Sequence, residues 1–192
     1  MTHRLGYWVA LVCVLAMCGV LIGGFVVQFA WGEFPCPLCL LQRMAMMLCA
    51  LGPAYLVLRA RRGDVSPTDF ATGYGMSIVA GMLGAGISVR QILLHVTGSD
   101  PGYGTPVFGL HLYTWALIVF VTAIVVSGLN LVFARELAPA RVTHRWPSRL
   151  VVGAFALVIA ANLVAAGMLE GLHWKLPDSP DRYQLLVDLG WR

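Results

Sequence analysis

Charged residues are scarce in this chain of 192 residues: Lys, Arg, Asp and Glu make up 11% of it, while 59% of the residues are hydrophobic. A water-soluble domain of this composition would expose too much apolar surface to water, so an ordinary soluble enzyme or binding module is excluded. The chain also lacks repeats, low-complexity tracts and any segment that reads as a separate soluble domain. The composition instead predicts an all-α integral membrane protein.

Five apolar stretches are long enough to span a membrane, since about 20 mostly apolar residues are needed to cross the hydrocarbon core. They are Tyr7 to Ala30, Leu40 to Leu58, Phe70 to Leu94, His111 to Phe133 and Leu150 to Leu169. The first is far longer than the apolar region of a typical secretory signal, and Phe29-Ala30-Trp31 is a poor cleavage site. We therefore expect five spanning helices, with the first one retained.

Basic residues are missing from two of the connections between these stretches, at residues 31–35 and 96–110. Because Lys and Arg stay preferentially on the cytoplasmic side, these two connections and the carboxyl-terminal tail are expected to face outward. The basic residues at the other side are Arg4, Arg59, Arg61, Arg62, Arg135, Arg141, Arg145 and Arg149. These anchors account for the net charge of +4, so the charge gives no indication of a nucleic acid partner.

The most informative motif, CPLCLLQR at residues 36–43, directly follows the first apolar stretch. Two thiols at the spacing of Cys36 and Cys39 can close a small disulfide ring, and a nearby cation can hold one of them as a thiolate. The second helix is expected to begin near Cys39, whose sulfur would then lie at the positive end of that helix. The motif predicts a membrane thiol oxidoreductase.

The other cysteines are interpreted as small hydrophobic residues packed within helices. They are Cys13, Cys18 and Cys49. A closed zinc site needs four ligands, and neither a second cysteine pair nor a tight histidine pattern supplies them, so no metal site is expected. A copper site that combines Cys36 and Cys39 with the methionines of residues 44–47 stays open as an alternative, although such methionines commonly serve helix packing.

Two polar groups lie at the outward membrane boundary. Arg43 shares a helix face with Cys39, where its side chain could snorkel to the headgroups, or could stabilise a Cys39 thiolate and an anionic oxygen on a bound electron acceptor. The third apolar stretch ends with Arg90, Gln91 and His95. His95 could donate a hydrogen bond to a quinone oxygen or be merely solvated, and Arg90 is interpreted as a structural or lipid-phosphate contact.

This arrangement resembles the DsbB family of bacterial quinone-linked, disulfide-forming membrane proteins, over roughly Trp8 to Phe133. The resemblance implies a four-helix bundle in the bacterial inner membrane that binds ubiquinone or menaquinone. It further implies that electrons come from a periplasmic thioredoxin-like thiol oxidase similar to DsbA and leave to the membrane quinone pool.

The resemblance also assigns roles to individual residues. Cys36 would exchange with protein thiols, Cys39 would face the quinone, and Arg43 would be the cation beside it. Gln91 and His95 are expected to be the quinone-proximal polar residues of the third helix.

The sequence departs from the family in two respects. The best-known members carry a second cysteine pair between helices 3 and 4, whereas residues 96–110 contain no cysteine and are typical of an ordered turn. Residues 135–192, comprising a cytoplasmic loop, a fifth spanning helix and the outward tail, have no counterpart in the four-helix part at residues 1–134. A non-catalytic scaffold or assembly subunit, or a copper-handling protein, therefore stays open as an alternative.

Two further patterns, in the third apolar stretch and in the tail, predict how helices pack. The glycines of the third apolar stretch predict close approach between helix backbones. In the tail, Tyr183, Leu186, Val187 and Trp191 recur at helical spacing, which predicts a helix lying on the outer membrane surface.

Overall fold

A computed structural model of the protein describes residues 2–96, 102–140, 142, 146–173 and 180–190. Its helices are α1 (Thr2–Ala30), α2 (Pro37–Arg62), α3 (Pro67–Val96), α4 (Leu112–Val132), α5 (Ala134–Leu137), α6 (Trp146–Glu170) and α7 (Gln184–Asp188). Five of them, all except the short α5 and α7, are long and apolar enough to cross a membrane. The predicted all-α, multi-pass membrane fold is confirmed, and the described residues form no β-strand.

Four of the spanning helices, α1, α2, α3 and α6, are longer than the apolar stretches that predicted them, whereas α4 is one residue shorter at each end. The second runs from Pro37 to Arg62, whereas its apolar part ends at Leu58, because the helical hydrogen bonds continue through the arginines of its last turn. Arginines suit this end, where unpaired carbonyl groups carry partial negative charge. Hydropathy thus marks the part of a helix that lies in the hydrocarbon core of the membrane. The longer helices extend beyond that part into the polar region at the membrane surface.

The second helix lies at the centre of the bundle. It packs against α1, α3, α4 and α6, and 61% of the residues in its apolar window are buried, compared with 22% for α4. The fifth spanning helix, α6, packs against α1 and α2. The division into residues 1–134 and 135–192 stays a prediction, although the second part is in direct contact with the first.

Helix α2 contains a proline, Pro53, which cannot donate the usual backbone hydrogen bond to the carbonyl group of Cys49. The hydroxyl of Ser77 on α3 donates to that carbonyl oxygen at 2.7 Å instead. A buried carbonyl group left without a partner would be costly in this apolar setting. The packing of α3 on α2 therefore compensates for the proline.

Glycines bring α2 and α3 into close contact at the same level. A Cβ atom added to Gly52 would overlap the carbonyl oxygen of Gly73, and it would lie 2.6 Å from the Ser77 hydroxyl. Glycine is thus the one residue that permits this backbone approach. For Gly73, the close helix packing predicted from the glycines of the third stretch is confirmed.

Replacing Gly52 by alanine is expected to destabilise the protein by about 1–3 kcal/mol, because a backbone carbonyl group cannot move aside as a side chain can. The thermal unfolding midpoint in detergent should fall accordingly. Gly75→Ala on α3 is the matched control, since a Cβ atom there meets nothing within 4 Å. Equal midpoints for the two variants would contradict the close approach of α2 and α3.

The tail forms a short helix, α7, as its spacing predicted, and its position on the outer membrane surface stays a prediction. The helix α7 has five residues and ends before Gly190, whose φ of +79° is left-handed, as is common after a helix. Trp191 lies outside the described residues. The ring of Tyr183 packs edge-on against Phe34 at 5.1 Å between centroids, so it faces the bundle. Helical spacing alone could not distinguish a membrane surface from a protein surface.

Asp188 connects this tail to the end of α6. One carboxylate oxygen accepts a hydrogen bond from the Leu172 amide at 3.0 Å, and the other accepts one from the Gln184 side chain at 3.0 Å. These bonds, together with nearby His173, hold the pKa of Asp188 below its ordinary value. Because the pKa is lowered in the folded protein, ionised Asp188 stabilises the fold at neutral pH. This stabilisation is lost when the pH falls through the pKa that Asp188 has in the folded protein.

Candidate functional site

Cys36 and Cys39 form a disulfide at the start of α2, with their Cα atoms 5.0 Å apart. Helix α2 begins at Pro37, two residues before Cys39 and so near it as expected, and proline suits the first helical position, where no backbone donor is needed. Cys36 is the N-cap residue, and its sulfur accepts a hydrogen bond from the Cys39 amide at 3.2 Å. Both sulfurs, rather than that of Cys39 alone, therefore lie at the positive end of the helix.

A glutamine from α3 contacts both sulfurs. The side-chain nitrogen of Gln91 lies 3.2 Å from the Cys36 sulfur and 3.6 Å from that of Cys39. Its oxygen accepts a hydrogen bond from the Gln42 side chain at 3.0 Å, which orients the Gln91 amide with its donor toward the disulfide. Because such a donor stabilises a sulfur anion more than a disulfide, the site favours the reduced thiolate form.

The side chain of Arg43, a residue of α2, contacts α1 rather than the disulfide. Its guanidinium donates to the side-chain oxygen of Gln28 at 2.7 Å and to the carbonyl oxygen of Gly24 at 2.8 Å, and it lies 5.4 Å from the ring centre of Phe25. Among the described residues, no carboxylate forms an ion pair with it. These contacts hold the guanidinium against α1, and its predicted roles beside the thiolate and the acceptor stay predictions.

A cavity of about 510 Å³ adjoins the disulfide. Helix α2 contributes Cys39, Gln42 and Arg43 to its lining, and apolar residues of α1 and α4 supply most of the remainder. Arg43 is the one cationic side chain among the described residues that line it. An apolar cavity with a few convergent polar groups is the usual form of a small-molecule site.

A second cavity of about 280 Å³ continues deeper between the same three helices. Val20, Trp115 and Val119 line both cavities, so the two form one cleft between α1 and α4 with α2 as its floor. Val20 and Val26 line the larger cavity and are also exposed on the bundle surface. The cleft therefore opens on the face of the bundle that lipid would cover.

The segment before the disulfide is held from two sides. The hydroxyl of Tyr103 donates to the carbonyl oxygen of Phe34 at 2.7 Å, and Thr105 donates to the carboxylate of Glu33 through both its amide and its hydroxyl. Tyr183 covers the Phe34 ring from the tail. Under this cover Cys36 is 5% exposed, whereas Cys39 is half-buried and borders the cavity.

The structure places His95 and Gln91 beside the cavity rather than in its wall. The described residues that line the cavity include neither of them. The ring nitrogen Nδ1 of His95 lies 2.8 Å from the Gln91 carbonyl oxygen, and the His95 ring stacks at 5.3 Å on Tyr113, which does line the cavity. Their predicted contact with a quinone stays a prediction, and Tyr113 separates His95 from the cavity.

The site also contains residues to which the sequence had assigned no part in it. Gln28, Gln42, Tyr103, Tyr113 and Tyr183 all touch the disulfide segment, Arg43 or the cavity. Gln28 and Gln42 could have been found, because an amide inside an apolar spanning segment is costly and usually has a role. The tyrosines lie in loops and ends, where no periodic pattern indicates their contacts.

The metal alternative receives no geometric support. Among the residues that the structure describes, no three His, Cys, Asp or Glu side chains gather into a group that could hold a metal ion. Met44 is exposed on the bundle surface, whereas Met46 lines the cavity, so these two methionines diverge rather than converge near Cys39.

Residues 6–104 match the model of a family described as Disulfide bond formation protein DsbB. The chain is 36% identical over 100 residues to Disulfide bond formation protein B of Chromobacterium violaceum, covering 52% of this chain and 55% of that protein. It is 30% identical over 146 residues to Disulfide bond formation protein B 1 of Pseudomonas fluorescens (strain Pf-5), covering 62% of this chain and 86% of the relative. It is 35% identical over 141 residues to Disulfide bond formation protein B of Pseudomonas syringae pv. tomato, covering 58% of this chain and 82% of the relative. No solved structure matches the chain significantly.

Proposed function

Because this chain belongs to the DsbB family of disulfide bond formation proteins, we propose that it is a membrane thiol-disulfide oxidoreductase that passes electrons from periplasmic thiols to a quinone. The observation that carries this proposal is the position of the disulfide. Cys39 borders a large apolar cavity lined by the half-buried Arg43, with which no carboxylate among the described residues forms an ion pair. A redox-active sulfur thus lies beside a site of the right chemistry for its electron acceptor.

The cavity suits a quinone, which has a flat ring with two carbonyl oxygens and a long apolar chain. Arg43 and Gln42 are the residues that would hold the ring oxygens, and the apolar second cavity has room for the start of the chain. When bound, ubiquinone or menaquinone supplies an acceptor for two electrons and two protons. The guanidinium of Arg43 stays charged at any physiological pH, so it can stabilise negative charge that develops on a ring oxygen.

The first chemical step takes place at the disulfide. A thiolate of the partner protein attacks the sulfur of Cys36 and forms a new S–S bond, while the bond to Cys39 breaks and its electron pair leaves on Cys39. The positive end of α2 and the Gln91 amide stabilise the resulting thiolate. Cys39 is the sulfur that borders the cavity, so the electrons arrive where an acceptor would bind.

The partner would reach Cys36 directly, since residues 96–110 provide no second cysteine pair. Cys36 is 5% exposed and follows the segment of Phe34, so we expect an attacking thiolate to gain access when this segment moves. Tyr103 and Tyr183 hold that segment in place. A thioredoxin-like protein of the DsbA type, whose own thiol is exposed, is the partner class that fits this requirement.

The proposed location is the bacterial inner membrane, with the disulfide end of the bundle in the periplasm. The described arginines at the opposite end include Arg59, Arg61, Arg62 and Arg135. Basic residues in short connections are retained on the cytoplasmic side, which supports this orientation. The periplasm is also an oxidising compartment, in which newly formed disulfides persist and can stabilise proteins.

Quinone reduction by the purified protein in lipid nanodiscs tests the proposal. A reduced thioredoxin-like periplasmic protein supplies the electrons, and the loss of quinone absorbance is followed with ubiquinone and menaquinone analogues in turn. We expect thiol-dependent turnover with at least one of them. If neither analogue is reduced while the disulfide is intact at the start, the proposed activity is wrong and a non-catalytic scaffold becomes the better interpretation.

Replacing Gln91 by leucine is expected to make the Cys36–Cys39 disulfide harder to reduce. The variant removes a hydrogen-bond donor that favours the thiolates, and a bond of this kind contributes about 1.5–3 kcal/mol, or about 30–60 mV for a two-electron couple. The midpoint potential, measured by equilibration with glutathione, should become more negative by up to that amount. Ser88→Ala, which alters a buried polar residue of α3 one turn away, should leave the potential unchanged.

A further inference from the structure

Gln28 connects the tail of the protein to Arg43. Its side chain is 3% exposed and lies near the end of α1. The oxygen accepts the hydrogen bond from Arg43 at 2.7 Å, and the nitrogen donates to the hydroxyl of Tyr183 at 3.3 Å. Tyr183 is thereby two hydrogen bonds away from Arg43, the one cationic side chain among the described residues of the cavity wall, although the two lie 140 positions apart in the chain.

The two hydrogen bonds fix which way the Gln28 amide is turned. A glutamine side chain can be rotated by half a turn, which exchanges its oxygen and its nitrogen. Arg43 has donors only, so it requires the oxygen, and a Gln28 turned the other way would direct two donor groups at a cation. The Tyr183 hydroxyl provides an acceptor for the Gln28 nitrogen on the opposite side. The orientation with the oxygen toward Arg43 is therefore the one in which the oxygen and the nitrogen of Gln28 both form hydrogen bonds.

The tail is anchored independently of this contact. The Asp188 carboxylate bonds to the Leu172 amide, and Gly171, with φ of +64°, permits the close approach because a Cβ atom there would lie 2.5 Å from that carboxylate. The Tyr183 ring also packs on Phe34. The hydroxyl can therefore be removed while the ring and the rest of the tail keep their places.

From these contacts we propose that Tyr183 is a positioning residue for the cavity: through Gln28 it holds the Arg43 guanidinium in the orientation that binds the acceptor. This inference rests on the proposed function, and it gives the segment after the fifth spanning helix a role in the redox site. The family match ends at residue 104, so Tyr183 lies outside it. The tail then acts on the cavity through Gln28 and Arg43, although Tyr183 is not among the described residues that line it.

The test compares full-length Tyr183→Phe with wild type in nanodiscs. The first measurement needs no quinone: the rate at which phenylglyoxal modifies Arg43, read by peptide mass spectrometry. We expect modification to be several-fold faster in the variant, because the guanidinium loses an oriented acceptor. The second is the Kd of decyl-ubiquinone from quenching of tryptophan fluorescence, since Trp31 and Trp115 line the cavity. Loss of one hydrogen bond predicts a Kd about three- to tenfold higher.

Tyr55→Phe is the matched control. It also deletes a bonded hydroxyl, which donates to Asp69 at 2.7 Å, but it lies away from both cavities. It should leave both measurements unchanged. A double-mutant cycle separates positioning from general loosening: once Gln28→Leu removes the connection, adding Tyr183→Phe should change neither the Arg43 modification rate nor the Kd further.

The outcomes are distinct. Equal Arg43 modification rates in wild type and Tyr183→Phe would overturn the inference, and so would additive effects in the Gln28→Leu background. If wild type binds neither decyl-ubiquinone nor a menaquinone analogue, the proposed function fails. The Arg43 modification rate still decides in that case whether Tyr183 positions the arginine.

Discussion

Replacing Cys39 by serine is expected to abolish thiol-to-quinone electron transfer, lowering kcat/KM by at least about 1,000-fold, because a hydroxyl cannot form the disulfide that carries the electrons. The residual rate should match that of the uncatalysed reaction between the thiol donor and the quinone. Cys36→Ser should be equally inactive, since it removes the sulfur that the partner attacks. The assay is quinone reduction by the purified variants in nanodiscs.

The two variants should differ in what they trap. Cys39→Ser keeps Cys36 as a single thiol, which can form a stable mixed disulfide with an oxidised thioredoxin-like partner. Cys36→Ser leaves Cys39, the sulfur that borders the cavity and that the proposal assigns to the acceptor rather than to the partner. Gel electrophoresis without reductant should therefore show the covalent complex in Cys39→Ser and much less of it in Cys36→Ser.

Cys18→Ser is the matched control, because Cys18 is also a buried cysteine but lines neither cavity. It should retain wild-type turnover. Full turnover in Cys39→Ser or in Cys36→Ser would show that the pair is dispensable, and would favour a scaffold on this family's fold over an enzyme.

Replacing Arg43 by methionine is expected to lower the rate of quinone reduction by about 100-fold, in the range found when one preorganised electrostatic group is removed from an active site. Methionine keeps much of the apolar stem and removes the charge. The loss should fall on the quinone half of the reaction, because Arg43 contacts Gln28 and Gly24 rather than the disulfide. Reduction of Cys36–Cys39 by the thiol partner should proceed at nearly the wild-type rate.

Measuring the two halves separately tests this separation. Stopped-flow mixing with reduced partner follows the disulfide step, and addition of quinone to the reduced protein follows the second. Arg43→Lys should recover part of the loss only, since a single ammonium lacks the planar fork that reaches Gln28 and Gly24 together. Arg90→Met removes an exposed arginine near the same end of the bundle and should have little effect. A slow disulfide step in Arg43→Met would contradict the assignment.

The sequence was sufficient to predict the spanning helices, because each needs a long apolar run that few other structures produce. It also indicated the cysteine pair and the arginine, which are conspicuous in so apolar a chain. The local geometry was less accessible. Helix α2 begins within two residues of the expected start, but hydropathy, which locates a helix core, did not indicate that Cys36 is its N-cap residue.

Contacts between distant segments could not be predicted in the same way. Gln28 and Tyr183 are 155 positions apart, and no periodicity in either segment indicates that they meet. Gln91 was singled out as a group beside the quinone, yet its amide lies on the two sulfurs, because the pairing of α3 with α2 sets which face it presents. Helical patterns give the faces of single helices, whereas a site depends on which faces are brought together.

The cleft between α1 and α4 has a consequence for how activity is quantified. Its rim includes Val20 and Val26, which are exposed on the lipid-facing surface, so the acceptor would enter sideways from the membrane. The relevant concentration is then the mole fraction of quinone in the surrounding lipid or micelle, not the amount per litre of solution. At a lower detergent concentration, the same total quinone gives a higher mole fraction. The apparent KM, expressed per litre of solution, would therefore fall without any change in the protein.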